Sequence, residues 1–239
     1  MAKKRPPYIE IIKYNLSIDP DFGPYARGET AVLHQPVDTS DVVNWFFYMG
    51  DLEKAREVSY AYSVYCEQEA AKRDEYEVLY DLFQAALYRS LAQKNSEAQK
   101  LWQDLVEKRR GLQEDRILTL KKAHYWIYEA YGLAKLERYV EVAEPAQLGF
   151  EGISKGKGIF PSPHRNTREY GLADILVALA NFKLNPTSAG QQEAQKALMA
   201  YKKENITYSR LGYGVIFDLQ FSYPDVFTPV LPGLDPEED

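Results

Sequence analysis

The spacing of apolar residues predicts a helical protein from about residue 40 onwards. Four stretches, residues 45–64, 86–106, 129–150 and 176–201, each contain apolar residues at helical spacing, a short polar break and a second helical pattern. Thr39, Ser40 and Asp41 supply side chains that suit a helix N-terminus just before the first stretch. The pattern therefore predicts four helix pairs.

The polar breaks within these stretches share a further feature, because an alanine follows each of them on the second helix. The breaks lie at residues 50–51, 93–95, 137–138 and 185–190, and the alanines are Ala55, Ala98, Ala143 and Ala194, spaced by 43, 45 and 51 residues. Two helices joined by a short turn approach closely beside it, and a methyl side chain permits that contact. Each pair also exposes an apolar face, so neighbouring pairs are expected to stack in sequence order.

The step Gly50-Asp51-Leu52-Glu53-Lys54-Ala55, with its three weaker counterparts, resembles the tetratricopeptide-type helical repeats over residues 40–204. The resemblance implies an all-α fold of about four antiparallel helix pairs and a groove that binds a protein or peptide. The repeats here are longer than tetratricopeptide units, and the proline that ends such units is missing after the first two. An irregular all-α bundle stays open as the alternative.

Both ends of the chain depart from the helical pattern. Residues 12–18 and 215–223 alternate apolar and polar positions, which favours short strands, although residues 212–220 also fit one helix face. Several prolines after residue 223 exclude further helix. We therefore predict a single domain with an extended N-terminal arm (1–39), helical repeats (40–205) and a C-terminal cap with a proline-rich tail (206–239). Pairing of the two strand-like segments would cap the array.

Composition narrows the range of functions. A hydrophobic content of 45% allows a large core, and a net charge of −6 disfavours nucleic-acid binding while leaving basic protein partners open. The single Cys66 excludes a disulfide within the chain and a cysteine-based zinc site, and its helical setting predicts a buried thiol. We find no apolar segment that predicts a membrane span or a signal peptide, so a cytoplasmic location is expected.

Catalytic motifs are lacking in the sequence. His34, His124 and His164 form no pair at metal-ligand spacing, and neither a phosphate-binding loop nor a nucleophile elbow occurs. The aromatic neighbours of His124 indicate a packed histidine. We therefore expect no catalytic residue, no metal and no cofactor.

The segment GISKGKGIFPSPHRNTRE, residues 152–169, is the strongest local departure from the acidic composition. It predicts a glycine-rich loop that binds an anion or an acidic partner, since backbone N–H groups and basic side chains both suit negative charge. A solvated insertion is the alternative. The candidate residues are Lys155, Lys157, His164, Arg165 and Arg168.

The 19 tyrosines supply a second candidate surface. Tyrosine suits the concave groove of a helical-repeat array, although such rings also fill the space between helices. The candidate partner-binding residues are Tyr62, Tyr65, Tyr88, Tyr128 and Tyr131. The leading hypothesis is a non-enzymatic interaction module that holds a protein or peptide in a tyrosine-rich groove.

Three alternatives stay open. In size, charge and the helix WFFYMGD the chain resembles in type the immunity proteins of bacterial polymorphic toxin systems, which implies the neutralisation of a toxin. An enzyme or anion-ligand binder would use the loop at residues 152–169. A subunit of a larger complex would dock its apolar, proline-rich tail on another chain.

Overall fold

The structure is a computed structural model that describes residues 23–24, 29, 37, 40–74, 77–112, 123–155, 163–205 and 210–227. Within these ranges the regular structure from residue 40 onwards is entirely helical, which confirms the prediction of an all-α fold. The helices are α1 (Ser40–Tyr48), α2 (Leu52–Ala70), α3 (Glu77–Leu91), α4 (Asn95–Gly111), α5 (Ala123–Lys135), a 3-10 turn (Tyr139–Glu141), α6 (Ala143–Lys155), α7 (Pro163–Leu184), α8 (Ser188–Asn205) and α9 (Arg210–Ser222).

Consecutive helices pack against each other in sequence order from α1 to α9. Odd-numbered helices also contact each other: α5 packs on both α3 and α7. The odd-numbered helices therefore form one layer of the molecule, and the even-numbered partners that follow them form the other. This arrangement agrees with the helix pairs predicted from the sequence.

The first three pairs turn through the same backbone motif. A residue in the left-handed conformation ends the first helix of each pair: Gly50 (φ 75°), Gln93 (φ 59°) and Glu137 (φ 60°). Its N–H donates to the carbonyl three residues earlier, and the next N–H donates to the carbonyl five residues earlier. This ending satisfies two carbonyls that a helix terminus leaves free. All three turns lie at breaks predicted from the sequence.

The fourth turn is built differently. Thr187 precedes α8, and its Oγ1 accepts a hydrogen bond from the backbone N–H of Gly190 at 3.1 Å. This side-chain cap is the kind that threonine forms at helix starts. The N-terminus of α2 is capped in a related way, since Asp51 Oδ1 accepts from the N–H of Lys54 at 3.2 Å.

The alanines predicted beside the four turns are buried at three of the four positions. Ala55, Ala98 and Ala194 are buried, whereas Ala143 is exposed and Ala146 takes the buried place. The prediction was wrong for Ala143 because a 3-10 turn precedes α6 and moves its register along the chain. In the third pair, Ala146 therefore replaces Ala143 at the close contact between the two helices.

The strand interpretation of residues 215–223 was wrong, because this segment lies in helix α9 and the residue that follows it. Every residue from Val215 to Gln220 is buried, so the polar positions in this run do not mark a solvent-facing side. A period of two indicates a strand only when one face is exposed, and that condition fails here. The predicted pairing of the two terminal strands is therefore wrong as well. Its other segment, residues 12–18, lies outside the described part of the chain.

Helix α9 closes the molecule by packing back on its beginning. It lies against α1 and α3, with the rings of Phe47 and Phe217 stacked at 4.8 Å between centroids. One hydrophobic core consequently extends from Val37 to Phe227. Cys66 belongs to this core, which confirms the predicted buried thiol, and burial raises its pKa to about 12.

Candidate binding cleft beside the helix turns

The candidate tyrosines lie mainly in the core. Tyr62, Tyr88, Tyr128 and Tyr131 are buried, and only Tyr65 is half-buried. The hydroxyl of Tyr62 donates to Gln84 Oε1 at 2.7 Å, so even its polar end is committed within the protein. The four buried rings have no free surface to offer a partner, and their positions correct the prediction that they line an open groove.

The protein's own C-terminal helix occupies the face where that groove was expected. Tyr131 on α5 donates its hydroxyl to Asp218 on α9 at 2.6 Å, and Tyr223 donates to the carbonyl of Ala134 at 2.9 Å. Gly214 on α9 lies directly against the Tyr88 ring of α3. Helices α3 and α5 therefore contact α9 through Tyr88 and Tyr131, two of the residues that were expected to contact a partner.

Both ends of the basic segment predicted as a loop, residues 152–169, are helical. Lys155 is the last residue of α6, and His164, Arg165 and Arg168 belong to α7, which Pro163 opens. Proline suits a first helical position because it has no N–H to leave unpaired. Lys157 lies outside the described residues, as do the side chains of the other four.

A cleft of about 560 Å³ opens where the second and third helix turns meet the end of α9. Its lining comes from the end of α3, the start of α4, the end of α5 with its turn, and the end of α9. The lining residues are Ser90, Gln93, Asn95, Ala98, Gln99, Trp102, Lys135, Glu137, Phe221, Ser222 and Tyr223.

An ion pair lies at the α5–α9 side of this cleft. Lys135 Nζ donates to both carboxylate oxygens of Asp218, at 2.9 and 3.0 Å, and also to Ser222 Oγ. Burial, together with Asp218, raises the pKa of Tyr131 well above its usual value, so this hydroxyl stays protonated and donates. Asp218 balances the charge of Lys135.

The α4 side of the cleft carries exposed amides. Gln93, Asn95 and Gln99 are exposed, and within the described part of the chain no hydrogen bond to their side chains is formed. Glu137 on the facing turn is also exposed and makes no ion pair with any described residue. We call these four side chains the cleft rim.

Sequence reasoning identified the turns beside the cleft but none of the rim residues as functional. Gln93 and Asn95 were read as parts of a helix break, and Glu137 as part of another. The available signal was the set of amides in QKNSEAQ, residues 93–99, which surround a turn. Only the tertiary structure shows that the turn of the third pair lies beside these amides and lines the same cleft.

His124 is packed as the sequence indicated. Its ring lies edge-on to the rings of Tyr125 and Tyr128, at 4.4 and 5.5 Å between centroids. Burial lowers its pKa to about 4, so it is neutral near pH 7. Among the described residues, no group of histidine, cysteine and carboxylate side chains has the arrangement of a metal site.

Comparison with known proteins gives no relative, since no family model, no curated protein sequence and no solved structure matches this chain. None of the helices described is both long and apolar enough to cross a membrane.

Proposed function

We propose that the chain is a non-enzymatic interaction module that binds a partner protein or peptide at the cleft beside the second and third helix turns. The observation that carries this proposal is the cleft rim, in which Gln93, Asn95, Gln99 and Glu137 are exposed without partners among the described residues. Amide side chains both donate and accept hydrogen bonds, so the rim can pair with polar groups of another protein.

The surroundings of the rim support specific binding over simple solvation. Trp102 is buried beneath it, with its Nε1 donating to Ser90 Oγ at 3.1 Å, and Lys135 is held by Asp218. The walls are therefore fixed before any partner arrives, which reduces the entropy lost on binding. The proposal includes a reducing, cytoplasmic setting, for which the free thiol of Cys66 is suited.

Site-specific photo-cross-linking in the native host tests this proposal. A photoreactive phenylalanine analogue in place of Phe221, which lines the cleft without belonging to its rim, is expected to capture a discrete protein partner. The same analogue at Gln147, an exposed glutamine on α6 that does not line the cleft, is the matched control.

A product formed from position 221 and not from position 147, with unchanged melting temperatures, would support the cleft as the interface. Equal capture from both positions, or capture from position 147 alone, would contradict it. The immunity hypothesis, which rests on size, charge and the helix WFFYMGD, stays a prediction. The anion-binding hypothesis also stays a prediction, because the side chains of the basic segment lie outside the described part of the chain.

A further inference from the structure

We propose that the element bound in the cleft is an extended peptide segment that carries a basic side chain, which the carboxylate of Glu137 receives. This inference rests on the proposed function and names the chemistry of the partner. It follows from the spacing of the rim amides and from the charge of the cleft.

The two amides on α4 have the spacing that an extended peptide requires. Asn95 and Gln99 are four residues apart on one helix, so their Cβ atoms lie about 5–6 Å from each other on the same face. Residues on one side of an extended chain repeat every 6.6–6.8 Å or so, since each residue rises about 3.3–3.4 Å. Side-chain amides can therefore pair with successive peptide groups that face the same way.

The pairing also selects against a helical partner. Each primary amide offers an acceptor oxygen and two donor hydrogens, which complements the N–H and C=O of one peptide group. A helix has already used these backbone groups internally, except at its ends. An extended segment leaves them free, so it gains hydrogen bonds from Asn95 and Gln99 that a helix does not.

The charge of the cleft favours a basic side chain on this segment. Lys135 and Asp218 neutralise each other through contacts at 2.9 and 3.0 Å. Glu137 then remains as a carboxylate on the rim that is not balanced by an ion pair with a described residue. The net charge of −6 on the whole chain adds to its attraction for a lysine or arginine.

The turn fixes the backbone of Glu137 at the edge of the same cleft as the amides. Its backbone is in the left-handed conformation, with φ of 60°, and its N–H donates to the carbonyl of Ala134 at 3.0 Å. Asn95 and Gln99 belong to the second helix pair, while Glu137 belongs to the third. A segment that lies across the cleft therefore contacts both pairs, with its main chain on α4 and its basic side chain at the turn.

Selection from a displayed library of random heptapeptides on the immobilised full-length protein tests the inference. Enriched peptides are expected to share a lysine or arginine at one fixed position. Labelled synthetic copies are then titrated against the wild type and five variants: Asn95→Ala/Gln99→Ala, Glu137→Gln, Glu137→Lys, and the matched controls Gln147→Ala and Glu193→Gln.

We expect the double amide variant to weaken binding by about tenfold or more, because it removes two sets of hydrogen bonds. Glu137→Gln is expected to weaken binding several-fold, roughly threefold to tenfold, and to reduce its dependence on salt. The controls, an exposed glutamine on α6 and an exposed glutamate on α8, should bind as the wild type does. The variant Glu137→Lys should shift preference to peptides with an acidic residue at the fixed position.

Three outcomes would overturn the inference: no enrichment above the bare support, enrichment of peptides without a conserved basic residue, or binding that is unchanged in the double amide variant. The photo-cross-linking experiment separates this failure from a failure of the proposed function. A partner captured from position 221 without peptide selection would leave a folded surface as the occupant of the cleft. The absence of a product from position 221 would reject both proposals.

Discussion

At the residue scale, the absence of a side chain at Gly149 allows α5 and α6 to pack closely together. A Cβ added at Gly149 would lie 2.5 Å from Ile127 Cγ1 and 3.1 Å from the carbonyl oxygen of Ala123. Because one of these neighbours is backbone, a rotamer change alone cannot relieve the contact. Glycine inside a helix is otherwise unfavourable, so its presence here reflects packing between helices rather than helix propensity.

We expect Gly149→Ala to lower the free energy of unfolding by about 1–3 kcal/mol, since it overpacks this contact. Gly111→Ala is the matched control, because nothing lies within 4 Å of an added Cβ at that position. The control should be neutral or stabilising by up to about 1 kcal/mol, as the unfolded chain loses freedom. Urea unfolding of both variants measures the difference. Equal effects would show that the α5–α6 approach does not depend on Gly149.

At the scale of the element, a polar contact fixes the end of α9 in an otherwise apolar setting. Asp218 is 1% exposed and accepts from Lys135 and from the hydroxyl of Tyr131. The removal of Asp218 would leave a lysine and a tyrosine without their acceptor in a buried place. An unpaired buried charge costs more than the pair contributes as a whole, so single and double substitutions should differ.

The variant Asp218→Ala is expected to lose about 3–5 kcal/mol of stability, because the charge of Lys135 is then unpaired. The double variant Lys135→Met/Asp218→Leu should recover part of that loss. Asp225→Ala is the control, since Asp225 pairs with Lys183 while 57% of its side chain is exposed, and it should cost at most about 1 kcal/mol. Thermal and urea unfolding measure all three. A loss for Asp218→Ala no larger than that of the control would contradict the assigned role of the pair.

At the scale of the whole molecule, α9 changes the behaviour expected of stacked helix pairs. An open array has contacts only between neighbours, and its parts can unfold separately. Here α9 touches α1 and α3, and through Asp218 it also bonds to α5. The first and last parts of the chain therefore stabilise each other directly.

We predict that the protein unfolds in one cooperative transition. Tryptophan fluorescence, which reports on Trp45, Trp102 and Trp126 in the first three pairs, should give the same urea midpoint as far-ultraviolet circular dichroism. The open-array alternative would give separate transitions by the two probes. That result would show that contacts between neighbouring pairs, rather than closure by α9, govern stability.

The sequence by itself determined the features that depend on local backbone chemistry. Helical spacing gave the four pairs, and the polar breaks located the turns at Gly50, Gln93 and Glu137. Helix endings and caps involve residues three to five positions apart, so they can be read along the chain. The burial of Cys66 could also be predicted locally, from its position in an amphipathic helical pattern.

The tertiary structure alone decided where α9 lies, which tyrosines are buried and which side chains face the cleft. The contact between Tyr131 and Asp218 joins residues 87 positions apart, and no local pattern encodes it. The packing of α9 on α1 and α3 buries both the apolar and the polar positions of the strand-like alternation, and it places the protein's own residues on the face expected to hold a partner. The cleft arises likewise from two separate turns and a helix end, because only the packing of distant elements brings Asn95, Glu137 and Ser222 around one space.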